Sequence, residues 1–209
     1  MPEETSRLAR IGVRASYVAA AASVVSFLLS AFVLPEEEYT AAHTPDAVVL
    51  LVLAGSTAAH ISAAQKILGE GAVVLEMLTT LRCIVEVGAA STCLSAVRAY
   101  WTGDEDPFTA HQLHRFSEVS EPVAQLLAGA WIVALIRSAS PPPRKEARWD
   151  ARWAARVGYP CATALLLRPA ASLFSDATAD AVLGALTYAS LYPAFVLLVG
   201  RSIAYRSVA

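Results

Sequence analysis

Residues 71–101 read GAVVLEMLTTLRCIVEVGAASTCLSAVRAYW, a long apolar segment that nevertheless carries Glu76, Arg82 and Glu86. At about 100° per residue, Arg82, Glu86 and Cys93 fall on one stripe of a helix, with Glu76 at its edge, and leucines and valines cover the other face. The pattern predicts a helix whose polar stripe faces neighbouring helices and whose apolar face meets lipid or a core. The rest of the chain is placed around this helix.

The composition is that of a membrane protein. Hydrophobic residues make up 56% of the chain and charged residues only 16%, with a mean hydropathy of +0.50, whereas soluble domains contain about 25% charged residues. Runs without charge cover residues 15–35, 47–65 and 181–200, each close to the roughly 20 residues that cross a bilayer. These three runs predict transmembrane helices.

Three further segments are apolar but carry charge at their ends or within them. Glu121 and Arg137 flank one of them, and Arg168 lies inside another. Helices with internal charges insert when neighbours shield those charges, so they belong inside a bundle. The predicted fold is an all-α integral membrane protein, a bundle of about six transmembrane helices forming one domain over residues 1–209. The predicted spans are approximately 15–35, 47–66, 72–99, 121–137, 153–174 and 180–201.

The distribution of lysine and arginine supports six spans. With the amino terminus inside, the inner segments hold nearly all of these residues, and the outer loops hold only Arg98 and Arg115. The outer loops are acidic instead, with clusters at 36–38 and 104–106. This asymmetry predicts both termini on the same, cytoplasmic-type side, and the same pattern fits any of several membranes.

The polar residues within the predicted spans form the candidate site: Glu86, Glu76, Arg82, His60 and Arg168. A turn near residues 68–69 places His60 and Glu76 at equal depth, which predicts a hydrogen bond between them. Glu86 and Arg168 also fall at similar depth and are expected to pair if their helices are neighbours. Arg82 and Glu86 lie at i and i+4, a spacing that brings two side chains together on a helix.

Few residues point to metals, cofactors or catalysis. His111 and His114 lie one helical turn apart in an acidic segment, but two histidines without a third ligand are a weak metal signal, and an interfacial helix is favoured. No lysine lies in the interior of a span, since Lys66 is the last residue of the second one, and neither HExxH, GxSxG, a P-loop nor GxGxxG occurs, so no cofactor is expected. A net charge of −2 argues against a nucleic-acid partner.

Three classes of function stay open. The first is translocation of a proton or small cation through the polar seam, which requires a hydrated path to Glu86. The second, weighed equally, is a scaffold or accessory subunit in which every charge is paired, with membrane lipid, other membrane subunits or a second copy as partners. The third is a lipid-acting enzyme with His60 or His111 as general base, placed last because no nucleophile or metal cluster accompanies them.

Overall fold

The computed structural model describes residues 3–32, 44–69, 71–102, 107–139, 145–173 and 177–208, and it contains helices and no strand within them. Five α-helices precede the final one: α1 Glu3–Phe32, α2 Thr44–Leu68, α3 Val73–Thr102, α4 Pro107–Ser138 and α5 Lys145–Leu173. The final helix, α6, consists of Ala177–Leu186, a π-helical segment Thr187–Leu191 and Tyr192–Val208, in one continuous rod.

Three of these helices are long and apolar enough to cross a membrane: α1, α2 and residues Thr178–Ser207 of α6. They correspond to the three charge-free runs of the sequence. The predicted helical bundle is therefore confirmed, whereas transmembrane placement of α3, α4 and α5 stays a prediction because these helices carry more charge.

The ends of α2 follow from local sequence. Proline at position 45 suits the first turn of a helix, and the carboxylate of Asp46 lies near the positive end of its dipole. At the other end the Gly69 amide donates to the Gln65 carbonyl at 3.0 Å, and Gly71 has a φ of 81°. That left-handed backbone favours glycine, so the predicted tight turn between α2 and α3 is confirmed.

The helices pack as a closed ring in chain order, and α6 returns to contact α1. α4 packs between α3 and α5, and α6 also contacts α2 across the middle. Because consecutive helices are joined by short connections, they run antiparallel. One end of the ring, which we call the basic end, holds Arg10, Lys66 and Arg137; the opposite, acidic end holds Asp46 and Asp180.

Among the described residues, the larger cluster of buried apolar side chains extends to the basic end. The main core cluster includes Leu68, Leu75, Leu135 and Ile203 there, all nearly fully buried. At the acidic end a small cluster of three buried residues joins α2 to α3: Ala47, Cys93 and Val97. Within the described residues, the apolar core therefore lies mainly in the basic half of the bundle.

Small residues bring helices into direct contact in the basic half. A Cβ added to Gly12 of α1 would collide with Ala63 of α2, and one added to Gly200 of α6 would collide with Ser16 of α1. Such small residues allow helix backbones to approach closely. The serine and glycine positions of α1 thus fix a tight junction of α1, α2 and α6.

Candidate functional site

Arg82 of α3 is the most deeply buried charge among the described residues. Only 2% of its side chain is exposed. Its Nε donates to Glu86 Oε1 at 2.6 Å, and its Nη2 donates to the Tyr192 hydroxyl at 2.8 Å. The predicted i, i+4 proximity of Arg82 and Glu86 is confirmed as an ion pair.

Aromatic and hydroxyl groups from four helices surround this guanidinium. Its central carbon lies 5.3 Å from the Trp131 ring centroid, within the range of a cation–π contact. The Trp131 indole donates to Thr79 Oγ1 at 2.9 Å, and the Tyr192 hydroxyl lies 3.4 Å from Thr57 Oγ1. Arg82 is thereby held by α2, α3, α4 and α6 together.

A second charged centre lies nearer the acidic end, at Arg168 of α5. Its Nε donates to Asp180 Oδ1 at 2.8 Å, and its Nη1 donates to Glu121 Oε1 at 3.0 Å. The guanidinium also lies over the Tyr188 ring, 5.3 Å from its centroid. Glu121 Oε1 accepts a further hydrogen bond from Gln125 Nε2 at 2.8 Å. This centre ties α4, α5 and α6 together.

A cavity of about 430 Å³ joins the two centres. Its deep end is formed by Arg82, Glu86 and Tyr192, and its rim by residues at the acidic end, including Asp46 and Glu121. The Glu86 side chain is 17% exposed, although its partner Arg82 is buried. The cavity therefore extends from the acidic end of the bundle to the Glu86 carboxylate.

The cavity walls are mixed in chemistry. Apolar side chains from α1, α2 and α5 contribute much of the surface, among them Phe27, Leu53 and Leu165. Serines of α1, spaced one helical turn apart, line the same space: Ser23, Ser26 and Ser30. The small residues of α1 thus allow close packing in the basic half and line the cavity in the acidic half.

The π-helical segment shapes the wall at α6. The Tyr192 amide donates to the Thr187 carbonyl, five residues back, and Pro193 has no amide hydrogen to offer. The Tyr188 carbonyl thereby loses its usual helical donor, and it accepts a hydrogen bond from Ser23 Oγ of α1 at 3.0 Å. Single π-helical turns occur frequently at functional sites, and this one places Tyr188 and Tyr192 on the cavity wall.

The predicted bond between His60 and Glu76 is wrong. His60 is fully buried, with Nδ1 3.5 Å from the Gly12 carbonyl of α1 and Nε2 lacking a partner among the described residues. Glu76 is exposed near the start of α3. Counting from the turn predicts a level along the bundle but not the direction of a side chain, and here His60 is buried in the interior whereas Glu76 is exposed.

The predicted pair of Glu86 and Arg168 is also wrong, because α4 packs between their helices. Glu86 pairs with Arg82, and Arg168 pairs with Glu121 and Asp180. Both residues nevertheless line the same cavity. Among the described residues no group of three potential metal ligands occurs, and the side chains of His111 and His114 lie outside the described part of the structure.

Several partners at the site were not predicted from the sequence, chiefly Asp180, Trp131 and Thr57. Pro193, with tyrosines one and five positions before it, was the sequence signal that could have predicted a distorted helix beside the site.

Comparisons with known protein families, characterised proteins and solved structures find no match to this chain. The cavity and its two charged centres are therefore the features that bear on function.

Proposed function

We propose that this chain is a six-span membrane protein that moves a proton or small cation through the bundle, with Glu86 as the carboxylate that binds it. One observation carries the proposal: the Glu86 side chain lines a cavity that reaches the acidic end of the bundle. A buried carboxylate that a solute can reach from one side is the minimum that translocation requires.

The charges of α3 and α5 support a bundle of six spans. Arg82, Glu86 and Arg168 lower the hydropathy of their helices, yet all three point toward the cavity, where they meet opposite charges. The apolar positions Met77 and Ile84 of α3 are exposed instead. An ionisable residue at the centre of an isolated spanning helix costs about 2.5–3.5 kcal/mol, and pairing inside the bundle offsets that cost.

Topology is tested by introducing single cysteines into a variant whose three native cysteines are replaced by alanine. Glu37→Cys and Glu105→Cys are expected to react with an impermeant maleimide on the same side of sealed vesicles, and Lys145→Cys on the opposite side. Labelling of positions 37 and 105 from opposite sides contradicts the six-span arrangement.

Transport is tested in liposomes containing purified protein and a trapped pH indicator, with a potassium diffusion potential as the driving force. The unaltered protein is expected to carry protons inward, and Glu86→Gln is expected to reduce the rate at least tenfold. Glu76→Gln is the matched control because Glu76 lies on the same helix but is exposed outside the cavity. Thermal unfolding of each variant in detergent shows whether a loss of flux reflects a loss of the folded structure. If Glu86→Gln does not fold, Glu86→Asp is used instead because it keeps the negative charge. Equal flux through the unaltered protein and a folded Glu86→Gln variant contradicts the proposal.

A scaffold is the second candidate, and a different observation favours it. The guanidinium groups of Arg82 and Arg168 both have carboxylate partners, as expected of charges that serve to join helices. The same liposomes distinguish the two functions, because a scaffold produces no flux above that of liposomes without protein.

A further inference from the structure

We propose that the cavity binds an organic cation, an ammonium group carried on an apolar body, with the ammonium at Glu86. The proposal rests on the translocation function above and names the class of solute that the site takes. It follows from three features of the cavity. Two carboxylates each have one oxygen without a hydrogen-bond donor among the described residues, both arginines are already paired with carboxylates, and the walls are largely apolar.

The carboxylates keep acceptor capacity for an incoming cation. Glu86 Oε1 accepts from Arg82, whereas Oε2 has no hydrogen-bond partner among the described residues. Glu121 repeats this arrangement, since Oε1 accepts from both Arg168 and Gln125, and Oε2 has no partner within the described ranges. Each ionised carboxylate accepts at both oxygens, so an ammonium group finds a ready acceptor at the floor and another at the rim.

The arginines offer little to an anion. Arg168 already donates to Asp180 through two nitrogens and to Glu121 through a third. Arg82 donates to Glu86 and Tyr192, and its unpartnered Nη1 is buried away from the cavity surface. An anionic solute would therefore have to displace an existing carboxylate. With Asp46 also on the lining and Asp180 behind Arg168, carboxylates outnumber guanidinium groups among the described residues around the cavity, a balance that favours a positively charged solute.

The walls select an organic cation over a bare metal ion. Phe27, Leu50 and Leu165 line the space between the two charged centres, and an inorganic ion gains nothing from such surfaces. The volume of about 430 Å³ lies within the range of about 300–1,000 Å³ typical of small-molecule sites, which combine apolar walls with a few polar groups. An amine with an apolar body of one ring fills such a space and reaches Glu86.

The test compares three probes that share a phenylbutyl body: 4-phenylbutylamine, 4-phenylbutanol and 4-phenylbutyrate. Binding to the unaltered protein in detergent is measured by isothermal titration calorimetry, with detergent micelles alone as the blank. The amine is expected to bind at least tenfold more tightly than the alcohol, and the acid is expected to bind most weakly. Equal affinity of amine and alcohol, which indicates apolar partitioning alone, overturns the proposal, as does tightest binding of the acid.

Two variants locate the site. Glu86→Gln is expected to weaken binding of the amine at least tenfold while leaving the alcohol unchanged, and Glu76→Gln is expected to change neither. Because Glu86→Gln also disturbs Arg82, Ala124→Trp on the α4 wall of the cavity provides a second variant that fills the space without touching a charge. Amine binding that survives in both folded variants overturns the assignment of the site.

Failure of this inference is distinguishable from failure of the proposed function. Proton flux through Glu86 in liposomes without amine, together with no amine binding, leaves translocation standing and removes the organic cation as the solute. Amine binding that depends on Glu86, together with no flux of protons or of radiolabelled amine, contradicts translocation and identifies a binding site alone.

Discussion

The hydroxyl of Tyr192 accepts a hydrogen bond from Arg82 Nη2 at 2.8 Å, which joins α6 to the charged helix α3 in the interior of the bundle. The same tyrosine ring lies 5.6 Å from the guanidinium carbon. Because both residues are buried, neither finds a substitute partner in water. The contact therefore links the distorted final helix to the deepest charge of the cavity floor.

Replacement of Tyr192 by phenylalanine removes this hydrogen bond and the contact with Thr57 while keeping the ring. We expect the free energy of unfolding to fall by about 1–3 kcal/mol, the usual cost of leaving a buried donor unpaired. Tyr205→Phe is the matched control, since the exposed Tyr205 has one hydroxyl partner among the described residues, Arg201 one turn away, and a change within about 0.5 kcal/mol is expected there. Denaturant unfolding in detergent measures the stability of both variants. Equal losses of stability would show that the buried hydrogen bond contributes no more than the exposed one.

Glu86→Gln leaves a buried arginine without its carboxylate. Removal of one partner of a buried pair costs about 3–5 kcal/mol, and the lower end is expected here because Glu86 is 17% exposed. The double variant Arg82→Met with Glu86→Leu removes both charges and is expected to lose less stability than Glu86→Gln alone. Thermal unfolding in detergent is the measurement. A double variant that is less stable than the single one contradicts the ion-pair interpretation.

Ser23→Ala is expected to destabilise the bundle because Ser23 satisfies the Tyr188 carbonyl that the π-helical segment leaves without a helical donor. The expected loss is about 1 kcal/mol or more. Ser30→Ala on the same helix is the control, since Ser30 is exposed and makes no hydrogen bond to another described residue. The difference between their unfolding midpoints in urea reports the carbonyl contact, and identical midpoints would remove the role assigned to Ser23.

Gly200→Ala places a methyl group against Ser16 of α1. Overpacking of this kind costs about 1–3 kcal/mol, so the melting temperature is expected to fall. Gly55→Ala has open space around the new methyl group and is expected to gain up to about 1 kcal/mol from improved helix propensity. Opposite signs of the two shifts, measured by thermal unfolding, are the signature of a close α1–α6 contact, and a rise in both contradicts it.

Local spacing predicted the parts of the site that lie on one helix. The interval of four residues brought Arg82 and Glu86 together, as helix geometry requires. Likewise, uncharged length alone identified α1, α2 and most of α6 as apolar helices. Such inferences need no knowledge of how helices are arranged around one another.

Contacts between helices were beyond the reach of the same reasoning. Counting residues from the turn predicts how far His60 lies along the bundle axis. It does not predict the direction of the imidazole ring, whose Nδ1 lies near the Gly12 carbonyl of α1. The partner of Arg168 depended on the order of helices around the ring, where α4 separates α3 from α5. The role of Ser23 depended on the five-residue hydrogen bond at Thr187, which shifts the register of everything that follows in α6.

The contacts of Gly12 with Ala63 and of Gly200 with Ser16 bring main chains together with almost no side chain between them. A change of side-chain rotamer cannot separate such surfaces. Passage of a solute through the basic half would therefore require whole helices to move apart. Side-chain rotation takes picoseconds to nanoseconds, whereas collective helix movement takes microseconds to milliseconds. Any passage through this protein would therefore be limited by helix movement at its smallest residues, far from the charged centres at Arg82 and Arg168.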